Sequence, residues 1–298
     1  MTTLNSILVT TDFSEAAHRA TCRAALIAAE HGAELTLLNV EDPSSFRALR
    51  GRFSARSGFE EKFAHTKARL ERVARAIGAK TGVRVTPLAR VGSPLEQIRA
   101  VAQDADLMVV GAKNGNALRA FVLGTPAERL LRLFRLPVLL AREAVTGAYR
   151  HILVPTDLGA SSRHQLHAAM RLFPAAGIHL FHALTGGGPP GVAAPQPPSP
   201  EPHGASPGTQ EQDEGLRALK SLTVVAGGRN ASLTVAEGDP SLLSLQRQEA
   251  VRAELIVIGK NGQSTFGEYL LGRVAQRILA SAKCDVLVTP RIPMQRTT

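Results

Sequence analysis

The sequence predicts an α/β protein made of two tandem copies of one domain, each with a parallel β-sheet covered by helices on both faces. Three observations support this fold class: a length of 298 residues, short apolar segments that alternate with helical periodicity, and a set of motifs that occurs twice. A chain of this length can form two domains of ordinary size, each with a hydrophobic core.

The repeat consists of three pairs of motifs that occur in the same order in both halves, at an offset of about 145 residues. They are ILVTTD at 7–12 and ILVPTD at 152–157, VVGAKNG at 109–115 and VIGKNG at 257–262, and Leu-Gly at 123–124 and 271–272. A period this long excludes a solenoid of short repeats and predicts two globular domains. We place them at residues 1–146 and 150–298, with Gly147 at the interruption between them.

The elements of the first copy follow from its hydrophobic pattern in chain order. Strands are predicted where aliphatic and β-branched residues run together, and helices where apolar residues recur every three or four positions. The predicted order is strand 6–11, helix 14–31, strand 34–40, helix 58–80, strand 83–91, helix 94–103, strand 106–110, helix 126–134 and strand 137–141. Gly32 and Gly82 follow two of these helices, as glycine commonly does at helix ends.

Near-continuous apolar strands separated by helices indicate a parallel sheet, because right-handed crossovers place helices on both of its faces. An aromatic content of 4% is consistent with such a sheet, which packs mainly through Val, Leu, Ile and Ala. The second copy repeats this order except at 185–215, where 15 of 31 residues are Pro or Gly. That composition cannot build an apolar face and predicts a disordered surface insertion.

Composition and charge limit the function classes. A net charge of +10 is compatible with nucleic acid or an acidic membrane as a partner, but charge alone indicates non-specific attraction. With two Tyr and no Trp the chain has few aromatic platforms for bases, so nucleic acid is not expected as a partner. No apolar run reaches the roughly 18 residues of a membrane span, and no secretory signal is recognisable. Two distant cysteines form no disulfide framework, so we expect a cytoplasmic protein with no membrane partner.

The residues that could carry chemistry lie at the carboxyl ends of the predicted strands. Asp12 and Asp157 end the first strands of their copies, and Gly111 and Gly259 end the fourth. In open parallel sheets a ligand binds at these ends, where the strand order reverses. The alternative is that the aspartates only cap the following loops and helices, and that the glycines serve the fold.

The glycine spacing of the second copy indicates an anion site. Gly259 is followed by Gly262, and after nine more residues Gly272 opens a helix at about Arg273. Glycines let backbone N–H groups approach an anion closely, and the N-terminus of a helix attracts phosphate. A triphosphate could therefore lie between this loop and the helix.

These motifs resemble the universal stress protein family in its tandem two-domain form, over nearly all of both halves except 185–215. The resemblance implies five-stranded parallel sheets in the order 3-2-1-4-5, a role in the stress response in the bacterial cytoplasm and, in the branch with the glycine motif, binding of ATP together with Mg²⁺. It implies binding residues in the second copy at Pro155, Thr156, Asp157, Ala183, Gly259, Lys260, Gly262, Gly272 and Arg273. In the first copy it implies Asp12, Val40, Gly111, Asn114, Gly124 and Thr125.

Both copies depart from the family motif. In the first, Asn114 takes the place of the second glycine, and the segment Thr125–Glu128 is a capping box with Pro at the first helical position. In the second, Arg273 stands where the motif has Ser or Thr, and its guanidinium can pair with a phosphate or occupy its place. We therefore expect nucleotide binding in the second copy rather than in the first.

Three functions remain as hypotheses. The first is a non-catalytic stress protein that binds nucleotide, and the second is a nucleotide-free scaffold of the same fold that acts through its surfaces on a protein partner. The third, a slow nucleotide hydrolase, is least favoured because no nucleophile or carboxylate pair can be assembled in either crevice. No metal site is predicted, since His164 and His167 share a helix face without a third ligand, and His179 and His182 point to opposite faces of a strand.

The last strand of each copy is expected to be an edge of its parallel sheet. An unpaired edge must be covered or paired, so we predict that strands 137–141 and 284–289 pair with each other. The two halves would then form an internal pseudo-dimer, and further assembly into a homodimer stays open.

Overall fold

The structure, a computed structural model, describes residues 4–44, 55–112, 134–158, 160–184, 231–260 and 271–290. The predicted insertion at 185–215 and most of the helix predicted at 126–134 lie outside these ranges. So do four of the predicted binding residues, namely Asn114, Gly124, Thr125 and Gly262. No helix in the part of the chain described here is long and apolar enough to cross a membrane.

The first half contains five strands and three described helices, within a few residues of the predicted bounds. They are β1 (Ser6–Thr10), α1 (Glu15–His31), β2 (Glu34–Glu41), α2 (Ala55–Thr81), β3 (Val85–Val91), α3 (Pro94–Ala102), β4 (Leu107–Gly111) and β5 (Val138–Ala141). Helix α1 begins where the Ser14 hydroxyl accepts the Ala17 N–H, and it ends at Gly32, whose φ of 65° is left-handed. Helix α2 begins three residues before the predicted start at 58, and β3 begins two residues after the predicted start at 83.

The second half also contains five strands and three helices among the described residues. It contains β6 (His151–Thr156), α4 (Ala160–Leu172), β7 (Gly177–Leu184), β8 (Ala231–Glu237), α5 (Pro240–Ala250), β9 (Leu255–Gly259), α6 (Arg273–Ser281) and β10 (Asp285–Thr289). Helix α5 has a strong start, because the Asp239 carboxylate accepts the N–H groups of Ser241 and Leu242 and Pro240 occupies the first position.

The ten strands of the described ranges form one sheet in the order β3-β2-β1-β4-β5-β10-β9-β6-β7-β8. Each half therefore has the predicted strand order 3-2-1-4-5, and the fold class is confirmed. Neighbouring strands are parallel except at the centre, where β5 and β10 pair antiparallel with Leu139 opposite Leu287. These are the two edge strands that were predicted to pair.

The hydrophobic core follows the two faces of this sheet. On one face α1, α2 and α4 pack in a single cluster, and on the other face α3, α5 and α6 pack in a second. Each cluster contains buried residues of both halves: Ile27, Leu139, Leu166 and Leu287 in the first, and Met108, Val138, Ile256 and Val286 in the second. The β5–β10 pairing therefore makes both faces of the core continuous across the two halves.

A buried ionic cluster lies where the halves meet. The Asp285 carboxylate, which is fully buried, accepts hydrogen bonds from the Arg23 Nε (3.2 Å), the Tyr149 hydroxyl (2.5 Å) and the backbone N–H groups of Arg142 (2.7 Å) and Glu143 (3.1 Å). The Arg23 guanidinium also lies 4.0 Å from the centroid of the Tyr149 ring. This cluster joins α1, the segment after β5 and the start of β10.

Each half also supplies a cationic side chain that donates hydrogen bonds to backbone carbonyl oxygens of the other half. The Arg142 guanidinium donates to the carbonyl oxygens of Leu279 and Ala282 at the carboxyl end of α6. In the other direction, the Lys260 ammonium donates to the carbonyl oxygen of Phe134. Carbonyl groups at the carboxyl end of a helix lack intrahelical donors and carry partial negative charge, so the Arg142 guanidinium stabilises this end of α6.

Candidate functional site

A cavity of about 480 Å³ opens in the second half at the carboxyl ends of β6, β7 and β9. Seven of the residues predicted to bind nucleotide line it, namely Pro155, Thr156, Asp157, Ala183, Gly259, Gly272 and Arg273. Lys260 is not among the lining residues, because its side chain is buried against Phe134 of the first half. Burial lowers the pKa of Lys260 to about 8. Seven of the residues that the family resemblance implies thus line one cavity, whereas Lys260 lies outside its lining.

The turn after the first strand is built alike in both halves. The Thr156 hydroxyl accepts the Leu158 N–H, and the Thr11 hydroxyl accepts the Phe13 N–H. Leu158 and Phe13 both have a φ of 62°, a left-handed conformation that is rare for large side chains. Strain of this kind persists only where the surrounding structure enforces it, and it often accompanies functional sites.

The two aspartates at this turn have structural partners. The Asp12 carboxylate accepts the Ser14 N–H at 2.9 Å. The Asp157 carboxylate accepts the Ser162 hydroxyl at 2.7 Å, while the Asp157 N–H donates back to Ser162 Oγ at 3.1 Å. Each aspartate therefore organises the loop and helix that follow it, which is the alternative role considered from the sequence.

The amino end of α6 forms one wall of the second-half cavity. Its first residue is Arg273, and Gly272 precedes it in the N-cap position, with no side chain capping the helix. Gly272, Arg273, Val274 and Ala275 all line the cavity. The first N–H groups of a helix have no intrahelical acceptor and carry partial positive charge. Together with the exposed Arg273 side chain, this wall favours a phosphate or carboxylate.

The cavity also has an apolar wall, which includes Phe181, Ala183, Pro240, Ile258 and Ile278. A cavity of this volume with an apolar wall and a few fixed polar groups is typical of small-molecule sites. The arrangement can hold a flat apolar group at one end and an anion at the other.

His182, which the sequence indicated only as an unsuitable metal ligand, lines the cavity. Its Nδ1 lies 2.7 Å from the carbonyl oxygen of Thr156. Because a carbonyl oxygen can only accept, Nδ1 carries a proton in this contact. Its place at the cavity follows from the strand register, since His182 lies directly opposite Thr156 in the β6–β7 pairing, and the sequence alone does not reveal that register.

The glycines at the ends of β4 and β9 have different reasons to be glycine. A Cβ on Gly111 would lie 2.4 Å from the backbone oxygen of Ala16, so α1 packs too closely for any side chain there. A Cβ on Gly259 would lie 2.4 Å from the amide nitrogen at the end of the Gln165 side chain, which can move. Helix packing thus explains Gly111 without a ligand, whereas it explains Gly259 less completely.

The equivalent cavity of the first half measures about 350 Å³. Asp12, Val40 and Gly111, which the family resemblance implies as binding residues, line it, and so does Asn39. The Asn39 Nδ2 donates to the carbonyl oxygen of Thr11 at 2.7 Å, and its Oδ1 is buried with no hydrogen-bond partner in the described part of the chain.

The other histidines form no metal site in the structure as far as it is described. No group of three or more His, Cys, Asp or Glu side chains suited to a metal ion occurs among the described residues. His179 accepts the Arg247 Nε at 2.8 Å through Nε2 and contacts the Ser232 hydroxyl through Nδ1. Burial and, to a smaller degree, the Arg247 charge lower the pKa of His179 to about 4.

Comparison with known proteins gives consistent results for both halves. The family model described as "Universal stress protein family" matches residues 3–142 and 148–290. A universal stress protein of Mycolicibacterium smegmatis is 26% identical over 300 residues, covering 95% of this chain and 96% of that protein. A universal stress protein of Methanocaldococcus jannaschii is 34% identical over 82 residues, which is 27% of this chain and 48% of that protein. The crystal structure of a universal stress protein from Archaeoglobus fulgidus has the same fold, with a TM-score of 0.70, 18% identity and coverage of 97% of this chain and 99% of that one.

Proposed function

Because the chain belongs to the universal stress protein family, we propose that it is a non-catalytic cytoplasmic stress-response protein that binds a nucleotide in the second-half cavity. ATP is the first candidate. The observation that carries this proposal is the pairing, within one cavity of about 480 Å³, of an apolar wall with the amino end of α6 and Arg273.

Each wall suits one end of a nucleotide. The apolar wall at Phe181 and Ala183 suits a base, and the amino end of α6 suits the phosphates. Asp157 is the one carboxylate among the described lining residues. Mg²⁺ is commonly held by one or two carboxylates together with substrate phosphates and water, so Asp157 fits a Mg²⁺ ion bound mainly through the nucleotide.

The first-half cavity is the weaker candidate. It is smaller, and Gly111 is already required by the close approach of α1. The proposal therefore assigns the nucleotide to the second half and leaves the first half without a necessary ligand.

Two measurements test the proposal. Denaturing freshly purified protein and analysing the supernatant should release a nucleotide. Thermal unfolding with and without Mg-ATP should show stabilisation, which is about 2.7 kcal/mol at 100 times the dissociation constant. If no nucleotide is released and millimolar ATP leaves the melting curve unchanged, the nucleotide-free scaffold is the better description.

A charge reversal locates the phosphate. Arg273→Glu should weaken ATP binding by roughly tenfold, or about 1.4 kcal/mol, and the effect should shrink with added salt because the side chain is exposed. Lys283→Glu is the matched control, since it changes the net charge equally beyond the carboxyl end of α6. Equal effects of the two variants would contradict a phosphate at the amino end of α6.

A further inference from the structure

We propose that His182 is a specificity-determining residue of the second-half cavity, which presents a hydrogen-bond acceptor to a donor group on the nucleoside part of the ligand. This inference rests on the proposed nucleotide binding and extends it. His182 would select the nucleoside, whereas the amino end of α6 would bind the phosphates.

The first step is the protonation of the ring. The contact of 2.7 Å with the carbonyl oxygen of Thr156 requires the proton on Nδ1. In the neutral imidazole Nε2 is then an acceptor. Nε2 has no hydrogen-bond partner among the residues that the structure describes, and His182 is one of the residues that line the cavity.

Asn39 is the residue of the first half that is equivalent to His182. Asn39 lies one residue beyond Leu38, which pairs with Thr10, just as His182 lies one residue beyond Phe181, which pairs with Pro155. Asn39 makes the same bond, because its Nδ2 donates to the carbonyl oxygen of Thr11 at 2.7 Å. What remains is again an acceptor, the Oδ1 atom.

The Asn39 acceptor needs an explanation. Asn39 is 6% exposed, its Oδ1 has no partner in the described ranges, and a cavity of about 350 Å³ lies beside it. A buried acceptor left without a donor is costly, so such atoms usually meet a water molecule or a ligand. Two different residue types thus keep one common property: a bond to the carbonyl after the first strand and one acceptor atom without a partner among the described residues.

The second step is the position of His182 relative to the phosphate end. In the sheet, β6 lies between β9 and β7, so the ends of β9 and β7 are two strand spacings, or about 10 Å, apart. Gly259 ends β9 and α6 follows it in the chain, whereas His182 lies near the end of β7. A nucleotide whose phosphates lie at α6 therefore extends its nucleoside end toward His182. The groups there that can donate are an exocyclic amino group of the base and the ribose hydroxyls.

The test is a binding cycle by titration calorimetry. Wild type, His182→Leu and His182→Asn are each titrated with ATP and with three analogues: purine riboside triphosphate, which lacks the base amino group, 2′-deoxy-ATP and 3′-deoxy-ATP. We expect one analogue to bind wild type about three- to tenfold more weakly than ATP, and to bind His182→Leu no more weakly than ATP does. His182→Asn, which restores a donor and an acceptor, should recover most of the discrimination. His167→Leu, an exposed histidine of α4 outside the cavity lining, is the control and should behave as wild type.

The outcomes separate the two proposals. If wild type binds ATP and all three analogues equally, or if the preference persists in His182→Leu, the role of His182 is overturned and nucleotide binding stands. If wild type binds none of them, nucleotide binding itself fails and this inference fails with it. Should His182→Leu not fold, His182→Ala takes its place in the cycle, and an analogue preference that persists in His182→Ala overturns the role of His182.

Discussion

Neutralising Asp285 should destabilise the whole chain, because its carboxylate is the acceptor for four donors at the junction of the halves. In Asp285→Asn the remaining oxygen can still serve the backbone N–H groups of Arg142 and Glu143. The new amide nitrogen, however, faces the Arg23 Nε and the Tyr149 hydroxyl, and it can only donate. The Arg23 side chain, 5% exposed, is left as a buried cation without a carboxylate.

The magnitude follows from this geometry. Removing one partner of a buried ion pair costs about 3–5 kcal/mol, because the other charge remains buried and uncompensated. A loss of this size is a large fraction of the 5–15 kcal/mol that stabilises an ordinary domain. Since both core clusters run across the junction, the loss should appear in one cooperative transition.

Urea unfolding measured by circular dichroism gives the free energy of unfolding and the m-value for the wild type and the variant. Glu34→Gln is the matched control, because Glu34 pairs with Arg84 at the surface, where side-chain exposures are 59% and 79%. It should cost less than about 1 kcal/mol. A loss below about 1 kcal/mol for Asp285→Asn, or a loss equal to that of Glu34→Gln, would refute the reasoning. In a double-mutant cycle with Arg23→Met, the combined loss should be smaller than the sum of the single losses.

Three further predictions concern individual elements. Gly111→Ala should lower the free energy of unfolding in urea by about 1–3 kcal/mol, since its Cβ meets the backbone of Ala16. Gly259→Ala should lower it by less, because only a side-chain amide must move, and equal losses would contradict this reasoning. Burial lowers the pKa of His179 from an ordinary 6.5 to about 4, so between these pH values the unfolded chain binds a proton that the folded chain does not. The free energy of unfolding of wild type should therefore fall by up to about 3 kcal/mol as the pH falls through that window, and His179→Gln should not show this step. Ser14→Ala should cost about 1 kcal/mol through loss of the α1 cap, measured by thermal unfolding, and an unchanged midpoint would show that the Ala17 N–H finds another acceptor.

The fold could be predicted because its signals are local and occur twice. Apolar strands, helical periodicity and the glycines after helices gave the elements, and the unpaired edges predicted the β5–β10 contact. The buried ionic cluster could not be predicted, because Arg23 and Asp285 are 262 residues apart and nothing in either local sequence indicates the other. The continuity of the core across the halves depends on the same tertiary contact.

The candidate site was predicted in part for a similar reason. Residues that end strands, such as Asp157 and Gly259, reach the cavity because carboxyl ends of parallel strands meet at one edge. Lys260 directly follows Gly259, but its side chain leaves the cavity and contacts the other half, which adjacency in the sequence does not reveal. His182 was missed as a lining residue because its role depends on its register with Thr156, and register is a property of the paired strands.

The antiparallel contact between β5 and β10 joins two parts of one chain, so its formation does not depend on the concentration of protein in solution. Dilution separates a dimer of separate chains, but it cannot remove the partner strand from this one. Covalent linkage also means that a substitution changes one half alone. In a dimer of identical chains every change would appear at both sites. Here Asn39 and His182 occupy equivalent positions in the same molecule, so a substitution can alter one cavity and leave the other unchanged.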